Sequence, residues 1–287
     1  MYKNKKIGIV ILNYKDYKRT KILCESIESY FSIDNIVVVD NLSPDNSFEL
    51  LKKLENRKID IVQTDKNGGY SYGNNYGAFY LINKYNIDIL FIANPDVEFK
   101  EEFIIKCSDI IINDLFQATS GLMLYPDGTP SKWNGKINNL YEDLIDCTVL
   151  LKLFYKDYTY NYTYTKNNLI YVDFLPGSLF AINAKVFKKI GGFDDNVFLY
   201  YEESILSIKL RSAGYNLVLR NDINFKHLHS ASINKSINKI NQLKQLYKSR
   251  IYLYQKYIKT NSFNIYLLKL FMFYGYMIRK LLYRLLA

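Results

Sequence analysis

The chain is 287 residues long, room for one large α/β domain with appendages or for two small domains. With 49% hydrophobic residues and only 5 prolines it is globular, which excludes a disordered or low-complexity protein. Its net charge of +10 is lopsided: residues 223–287 hold 12 Lys and Arg and no Asp or Glu, leaving 26 basic against 28 acidic residues in the body before them.

Met1 to Lys6 passes straight into a strand, so no secretory signal peptide is expected. Ile7 to Leu12 is a first buried strand, followed by a helical stretch from about Asp16 to Phe31. Ile36 to Val39 is a second strand ending at Asp40-Asn41, and Asp45-Asn46-Ser47 can cap a helix running to about Asn56. Ile59 to Gln63 is a third strand, Asn67-Gly68-Gly69 opens a glycine-rich loop before another helix, and Ile89 to Ala93 is a fourth strand. Strands alternating with helices at this spacing predict an α/β protein with a doubly wound, mostly parallel sheet flanked by helices.

Two familiar nucleotide loops are absent. After the first strand comes Asn13-Tyr14-Lys15-Asp16-Tyr17-Lys18, with no Gly-x-Gly-x-x-Gly to bring a pyrophosphate against the backbone, and there is no Walker-type Gly-Lys-Ser/Thr loop. A nucleotide would have to be held by loops at the strand ends.

From Thr119 the alternation weakens. Gly121 to Tyr125 reads as a strand turning at Pro126-Asp127-Gly128, residues from about Trp133 to Asn168 read as an irregular, substrate-facing insertion, and Tyr171 to Asn183 reads as a strand pair interrupted by Pro176-Gly177. Cys24, Cys107 and Cys147 are odd in number and widely spaced, which fits buried thiols in a reducing compartment and supports neither a disulfide framework nor a zinc site.

Beyond His229 the pattern is helical. Ile240, Leu243, Tyr247, Ile251, Tyr254 and Ile258 recur at three- and four-residue steps. In a second helix from about Phe263, the residues Leu267, Phe271, Tyr274, Ile278, Leu281 and Leu285 gather on one side, opposite Lys269, Lys280 and Arg284. The embedded charges argue against a spanning helix and for a basic amphipathic tail lying on an anionic membrane surface, with packing on the body or a homodimer contact as the alternative.

Two acidic sites frame the chemistry. Asn94-Pro95-Asp96 follows the fourth strand, and Pro95 ends that strand, so Asp96 falls on the loop at its carboxyl end, where open α/β sheets bind ligands. Downstream, Gly191-Gly192-Phe193-Asp194-Asp195 leads through an aromatic and aliphatic run to Glu202-Glu203, at the start of a helical pattern that stops at Gly214. Taken alone, Asn-Pro-Asp is an ordinary turn, and the paired acids are a helix terminus stabilised by about 0.3–1 kcal/mol.

The ordered set is more specific than its parts. Asn13-Tyr14, Val39-Asp40-Asn41, Asn67-Gly68-Gly69 with Gly73-Asn74-Asn75, Asn94-Pro95-Asp96, Gly191 to Glu203, and His227 before Ser230-Ala231-Ser232 follow one another in an order that resembles glycosyltransferase family 2. Within that family it resembles the rhamnosyltransferase-like branch of bacterial surface-polysaccharide synthesis, over about residues 5–232. The resemblance implies a GT-A fold in residues 1–232, with a nucleotide-sugar half of about 1–125 and an acceptor half of about 126–232, followed by the helical tail at 233–287. It implies inverting transfer of one sugar from a nucleoside diphosphate, dTDP-rhamnose or a UDP-hexose, to a hydroxyl of a saccharide acceptor, expected to be lipid-linked. The enzyme is expected to be cytoplasmic and peripheral on the inner membrane face.

Residue by residue, the resemblance places Asn13, Tyr14, Asp40, Asn67, Gly68, Asn74, Asn94 and Asp96 on the donor. Asp40 would bind the nucleoside, and a carboxylate there can accept from the N3–H of uracil or thymine alike. Its bland alternative is a loop-capping Asp. Asp96 and His227 would hold Mn²⁺ or Mg²⁺, with His229 as the competing histidine; one Asp and one His suffice when a diphosphate and water supply the other ligands. Glu203 matches the general base, with Glu202 on the acceptor side and Asp194 positioning acceptor or loop. The chain departs from the family in having Glu for the usual Asp at 203 and Ile205 where a second acid is common. These departures leave Glu202 as the rival base and a catalytically inactive, acceptor-binding relative as the alternative function. A sugar-phosphate nucleotidyltransferase would need a glycine- and arginine-rich loop that Asn13 to Lys18 lacks, and the basic tail, interleaved with apolar residues, gives no expectation of nucleic-acid binding.

Overall fold

The computed structural model describes residues 1–131, 135–148, 163–164, 168–228 and 239–285. Ten strands form one sheet: β1 (Ile7–Asn13), β2 (Asn35–Asp40), β3 (Ile59–Gln63), β4 (Ile89–Ala93), β5 (Val97–Glu98), β6 (Ala118–Leu124), β7 (Thr163–Tyr164), β8 (Leu169–Tyr171), β9 (Leu179–Asn183) and β10 (Leu217–His227). Their order is β3-β2-β1-β4-β9-β6-β10-β8-β7, with β5 paired on β10. Strands β1 to β4 run parallel, as the alternating pattern predicts, while β9 lies antiparallel to both β4 and β6.

The apolar runs follow from burial on both faces. On one side α1 (Tyr17–Ile27), α2 (Ser47–Lys52) and α4 (Glu101–Ile112) bury Leu23, Ile27, Leu51 and Phe103 against Ile9, Ile11, Val38 and Phe91. On the other, α3 (Gly69–Tyr85), α6 (Ala184–Lys189) and α7 (Glu202–Ser212) bury Leu81, Phe187, Leu206 and Leu210 against Val10, Val37, Val39 and Ile92. Each such side chain contributes about 1.5–3 kcal/mol of transfer free energy. The cysteines are buried free thiols, and burial pushes the Cys24 thiol up to about 12. Parallel β-α units leave the strand carboxyl ends, at Asn13, Asp40, Gln63 and Ala93, along one rim of the sheet.

Three expectations change. The strands β8 and β9, read as a pair, lie apart in the sheet: β9 returns between β4 and β6, whereas β8 joins β10. Pro176-Gly177 is therefore a crossing between sheet positions and not a hairpin. The segment read as irregular from Trp133 contains α5 (Leu140–Cys147), started by a capping box in which Asn139 and Glu142 each bond the other's backbone N–H. Much of the remaining insertion, with Trp133, lies outside the described residues, as do His229 and Ser230-Ala231-Ser232.

The third change concerns the tail, which forms α8 (Lys239–Tyr252), a π-helical turn (Leu253–Ile258) and α9 (Ser262–Leu285). In α9 the buried face is Ile265, Leu268, Met272 and Gly275, packed with Tyr254 on Leu144 and Cys147 of α5. The approach is close: a Cβ on Gly275 would stand 1.9 Å from the Cys147 carbonyl oxygen. The exposed face is Phe263, Tyr266, Leu270, Phe273, Tyr274, Met277 and Leu281. The stripe expected from sequence, with Leu267, Phe271 and Ile278 half-buried, straddles the border between these faces. A helix apolar on two sides gives the periodicity no unique phase. The π turn adds a residue and rotates Ile258, expected on the buried face, out to 40% exposure.

Candidate active site

The rim begins at Asp40, which is fully buried. Its carboxylate accepts from Asn13 Nδ2 at 2.7 Å, Ser43 N at 2.9 Å, Ser43 Oγ at 2.6 Å and Gln63 Nε2 at 3.0 Å. These four donors use the acceptor capacity of a carboxylate. Asp40 thus ties the ends of β1, β2 and β3 together, and only Gln63, half-buried, could yield its place to a base N–H. Tyr14 follows Asn13, half-buried, with Lys15 Nζ 5.6 Å from its ring centre.

The helix α3 starts on the same rim. Asn67 Oδ1 accepts from Asn41 Nδ2 and from Gly69 N, and Gly68 is the N-cap. Gly69 has φ of 83°, and a Cβ there would stand 2.1 Å from the Phe198 carbonyl oxygen, which accepts from Tyr70 N at 2.8 Å. One turn on, Asn75 holds both backbone groups of Phe193, accepting from its N and donating to its O. Asn74 is buried, donates to Tyr70 O and leaves its Oδ1 unpartnered. The start of α3 therefore fixes the loop 193–198 that leads to the paired glutamates.

At the end of β4, Asn94 N donates to Ser178 O, and two residues later Asp96 lies 4% exposed. His227 Nε2 stands 3.2 Å from Asp96 Oδ1, delivered by the short antiparallel pairing of β5 with β10. Burial opposes ionisation of Asp96, but the His227 hydrogen bond and charge outweigh it and hold the carboxyl below the usual range. Among the described residues no cluster of three or more His, Cys, Asp or Glu could hold a metal. The Asp96–His227 pair supplies one oxygen and one nitrogen donor, a set that fits a divalent ion completed by a diphosphate and water.

Glu202 and Glu203 open α7, where acidic residues meet the positive end of the helix. Glu202 is buried and Glu203 half-buried, and each has one carboxylate oxygen, Oε2, buried without a partner. Burial, with the neighbouring Glu203 charge, pushes Glu202 well above the ordinary carboxylate range; burial raises Glu203 as well. Glu203 flanks Gly177, whose added Cβ would be 3.7 Å from both the Glu203 carboxyl carbon and Tyr70 Oη. Tyr70 Oη donates to Gly177 O at 2.5 Å. Glu203 is thus joined through Gly177 and Ser178 to the Asn94 loop.

Asp194 is placed elsewhere. Its Oδ2 accepts from Tyr252, Lys256 and Tyr257 of the tail, and its Oδ1 from Asn196. Burial opposes its ionisation, but the hydrogen bonds from Tyr257, Lys256 and Asn196 dominate and hold it far below the usual range. Both of its carboxylate oxygens are thus engaged within the chain. Ser43, Gln63, Tyr70, Gly177 and Arg250 were not foreseen as site residues. Of these only Gly177, beside Pro176, carried a signal in the sequence.

A sheet rim with two helix amino-termini and two acidic sites defines a protein of GT-A architecture. Residues 8–191, more than half the chain, match the family described as Glycosyl transferase family 2, and the protein belongs to that family. It is 29% identical over 211 residues to "Low-salt glycan biosynthesis hexosyltransferase Agl10" of Haloferax volcanii, a match covering 74% of this chain and 63% of that relative. The chain therefore spans less than two thirds of that relative's length. Among solved structures it is similar to GalNAc-T7 crystallised with UDP, GalNAc and Mn²⁺, at TM-score 0.61 and 16% identity over 80% of this chain and 45% of that one. It is also similar to the mannosyltransferase PcManGT of Pyrobaculum calidifontis in complex with GDP-Man and Mn²⁺, at TM-score 0.57 and 11% identity over 90% of this chain and 65% of that one. A third likeness, to residues 1–349 of S. aureus TarS, has TM-score 0.52 and 11% identity over 88% of this chain and 72% of that one.

Proposed function

We propose that the protein is an inverting, metal-dependent glycosyltransferase that moves one sugar from a nucleoside diphosphate to a saccharide hydroxyl in glycan synthesis. The observation that carries this reading is the pair Glu202–Glu203, with Glu203 beside Gly177, whose neighbour Ser178 accepts a hydrogen bond from Asn94 N at the start of the Asp96 loop. The donor half is about residues 1–125 and the acceptor half about 126–232. A UDP-hexose or dTDP-rhamnose is the donor class, and a lipid-linked saccharide the acceptor.

In this mechanism Asn13, Tyr14, Asp40, Asn67, Gly68, Asn74 and Asn94 shape the donor cradle, with Gln63 the exchangeable partner of Asp40. Asp96 and His227 would hold Mn²⁺ or Mg²⁺, which supplies charge stabilisation for a diphosphate leaving group. Glu203 takes the acceptor hydroxyl proton as that oxygen attacks the anomeric carbon from the face opposite the diphosphate. Its raised affinity for protons suits a base working near neutral pH. Glu202 bears on the acceptor side.

Glu203→Gln keeps the shape and cannot accept the proton, so transfer should fall about 10²–10⁴-fold while the donor-induced thermal shift stays unchanged. An inactive Glu202→Gln beside an active Glu203→Gln would move the base to Glu202.

The tail supports a peripheral membrane site for this reaction. No described helix is long and apolar enough to cross a membrane. The outward face of α9 presents Phe263, Tyr266, Leu270, Phe273 and Met277 within one sector of the helix, bordered by Lys269 and Lys280. Apolar insertion with flanking lysines suits an anionic leaflet, each basic residue adding about 1 kcal/mol.

A further inference from the structure

The loop that ends in the paired glutamates, fixed by α3 at Phe193 and Phe198, is also held from the tail. Tyr200 and Tyr201 have φ of 69° and 68°, a left-handed conformation that bulky side chains rarely adopt. Such backbone persists only where surrounding contacts over-determine it. Those contacts come from the tail. Ser249 Oγ donates to Leu199 O at 2.7 Å, and Arg250 Nε donates to Tyr201 Oη at 2.5 Å. Arg250 is 3% exposed and is itself fixed by Asp146 at 2.7 Å, by Cys147 Sγ at 3.0 Å and by Asp143 at 3.5 Å.

The other end of the loop is gripped by the π turn. Tyr252, Lys256 and Tyr257 all donate to Asp194 Oδ2, at 2.9, 2.9 and 2.5 Å. A π turn closes i→i+5, so positions i+4 and i+5 straddle position i on one side, which an α-helix would not allow for all three. Single π turns recur at functional sites, and this one converges three donors on one carboxylate. Asp194 and Tyr201 bracket the approach to Glu202-Glu203, and the segment Ser249–Tyr257 holds both.

We propose that residues Ser249–Tyr257 of the tail are a brace that positions the catalytic loop, with Arg250, Lys256, Tyr257 and Asp194 as positioning residues for Glu203. This rests on Glu203 being the base. A brace of this kind acts on the placement of the base and leaves the donor cradle, built from β1 to β4 and α3, alone.

The test uses the full chain carrying Lys256→Met and Tyr257→Phe together, both on a half-exposed or exposed part of the turn, with Glu203→Gln in parallel. The expected result is a fall in kcat of about 10–100-fold, the scale on which small misplacements act, with KM for the donor and its thermal shift within about 2-fold of wild type. The acid limb of the pH profile should also move down, because a loosened loop admits water to Glu203 beside Glu202, Tyr70 and Tyr200. Arg250→Lys, which keeps the charge and loses the fork, should show the same kcat-selective loss. Wild-type kcat in the double variant, with Glu203→Gln inactive, overturns the brace. An active Glu203→Gln instead overturns the assignment of the base. Equal loss of kcat and donor binding would mark a general folding defect and also overturns the brace.

Discussion

His227 Nε2 and Asp96 Oδ1 meet at 3.2 Å because two residues of β5 pair with the last two of β10, setting His227 opposite Val97 and Leu228 N on Asp96 O. The carboxylate comes from the loop after β4 and the imidazole from the far end of β10. Chelation with EDTA should abolish transfer, and Mn²⁺ or Mg²⁺ should restore it. His227→Ala should raise the metal concentration needed for half-activity by 10-fold or more, the scale seen when a ligand or its partner is lost. Full activity in thoroughly chelated protein would remove Asp96 and His227 as the holding pair.

The glutamate pair predicts two pH effects. Burial and the neighbouring charge raise Glu202, and burial raises Glu203, above their ordinary value of 4.5. Between that value and the raised one the native state binds more protons than the unfolded chain, so stability falls as pH rises through this window. Below 4.5 both states are protonated and the penalty vanishes. The melting temperature of wild type should therefore decline on this limb relative to a Glu202→Gln/Glu203→Gln variant, measured side by side. The acid limb of kcat/KM should lie above the ordinary carboxylate range, because burial raises Glu203. Tyr70 and Tyr200, which face the pair, are pushed up by burial and stay neutral throughout. An acid limb at the ordinary carboxylate value would show that burial does not raise the base.

Two glycines offer a matched comparison. Gly69 has φ of 83° and no room for a Cβ, whereas Gly128 has φ of 87° with nothing within 4 Å. Alanine at either position meets backbone strain of about 1–3 kcal/mol. Only Gly69→Ala also drives into the Phe198 carbonyl and breaks the Tyr70 N–Phe198 O bond. Gly69→Ala should therefore lower the melting temperature more than Gly128→Ala and reduce transfer, while Gly128→Ala should leave transfer intact. Equal losses would mean that the α3 contact does not hold the loop.

For the tail, point variants are cleaner than truncation, because removing α9 would also strip Ile265, Leu268 and Met272 from the packing on α5. Phe273→Glu with Met277→Glu changes only exposed positions. Binding to anionic liposomes at low salt should drop at least 10-fold with the melting temperature within about 2 °C of wild type, surface changes being worth roughly 0.5 kcal/mol. A dimer that dissociates in this variant, with liposome binding unaltered, would assign the stripe to a second copy.

The parallel half of the fold was legible because Ile7–Leu12, Ile36–Val39, Ile59–Gln63 and Ile89–Ala93 are apolar runs bounded by turn residues, the mark of strands buried on both faces. The candidate site residues Asp40, Asp96, His227 and Glu203 share a position at or next to the end or start of a strand or helix. What escaped were relations across the chain. The place of β9 in the sheet depends on which strands already occupy the neighbouring positions, and no local pattern encodes that. Gln63 is unremarkable until Asp40 is found beside it in register. Asp194 was read as positioning acceptor or loop. What the sequence did not offer were its hydrogen-bond partners Tyr252, Lys256 and Tyr257, far along the chain and converged by a π turn that a period of 3.6 residues cannot anticipate.

The packing of α9 on α5 has a consequence for exchanging specificity between relatives. The carbonyls that end α5 are capped from the tail, Asp143 O by Arg250 and Asp146 O and Cys147 O by Arg279, and Gly275 leaves the space for that contact. The insertion around α5 and the carboxyl-terminal helices are thus one module written in two separate pieces of sequence. A chimaera that grafts residues 135–148 from another family member onto this body, while retaining its own tail, would set foreign carbonyls against Arg250 and Arg279 and loosen the loop those helices hold. A productive graft must move both pieces together.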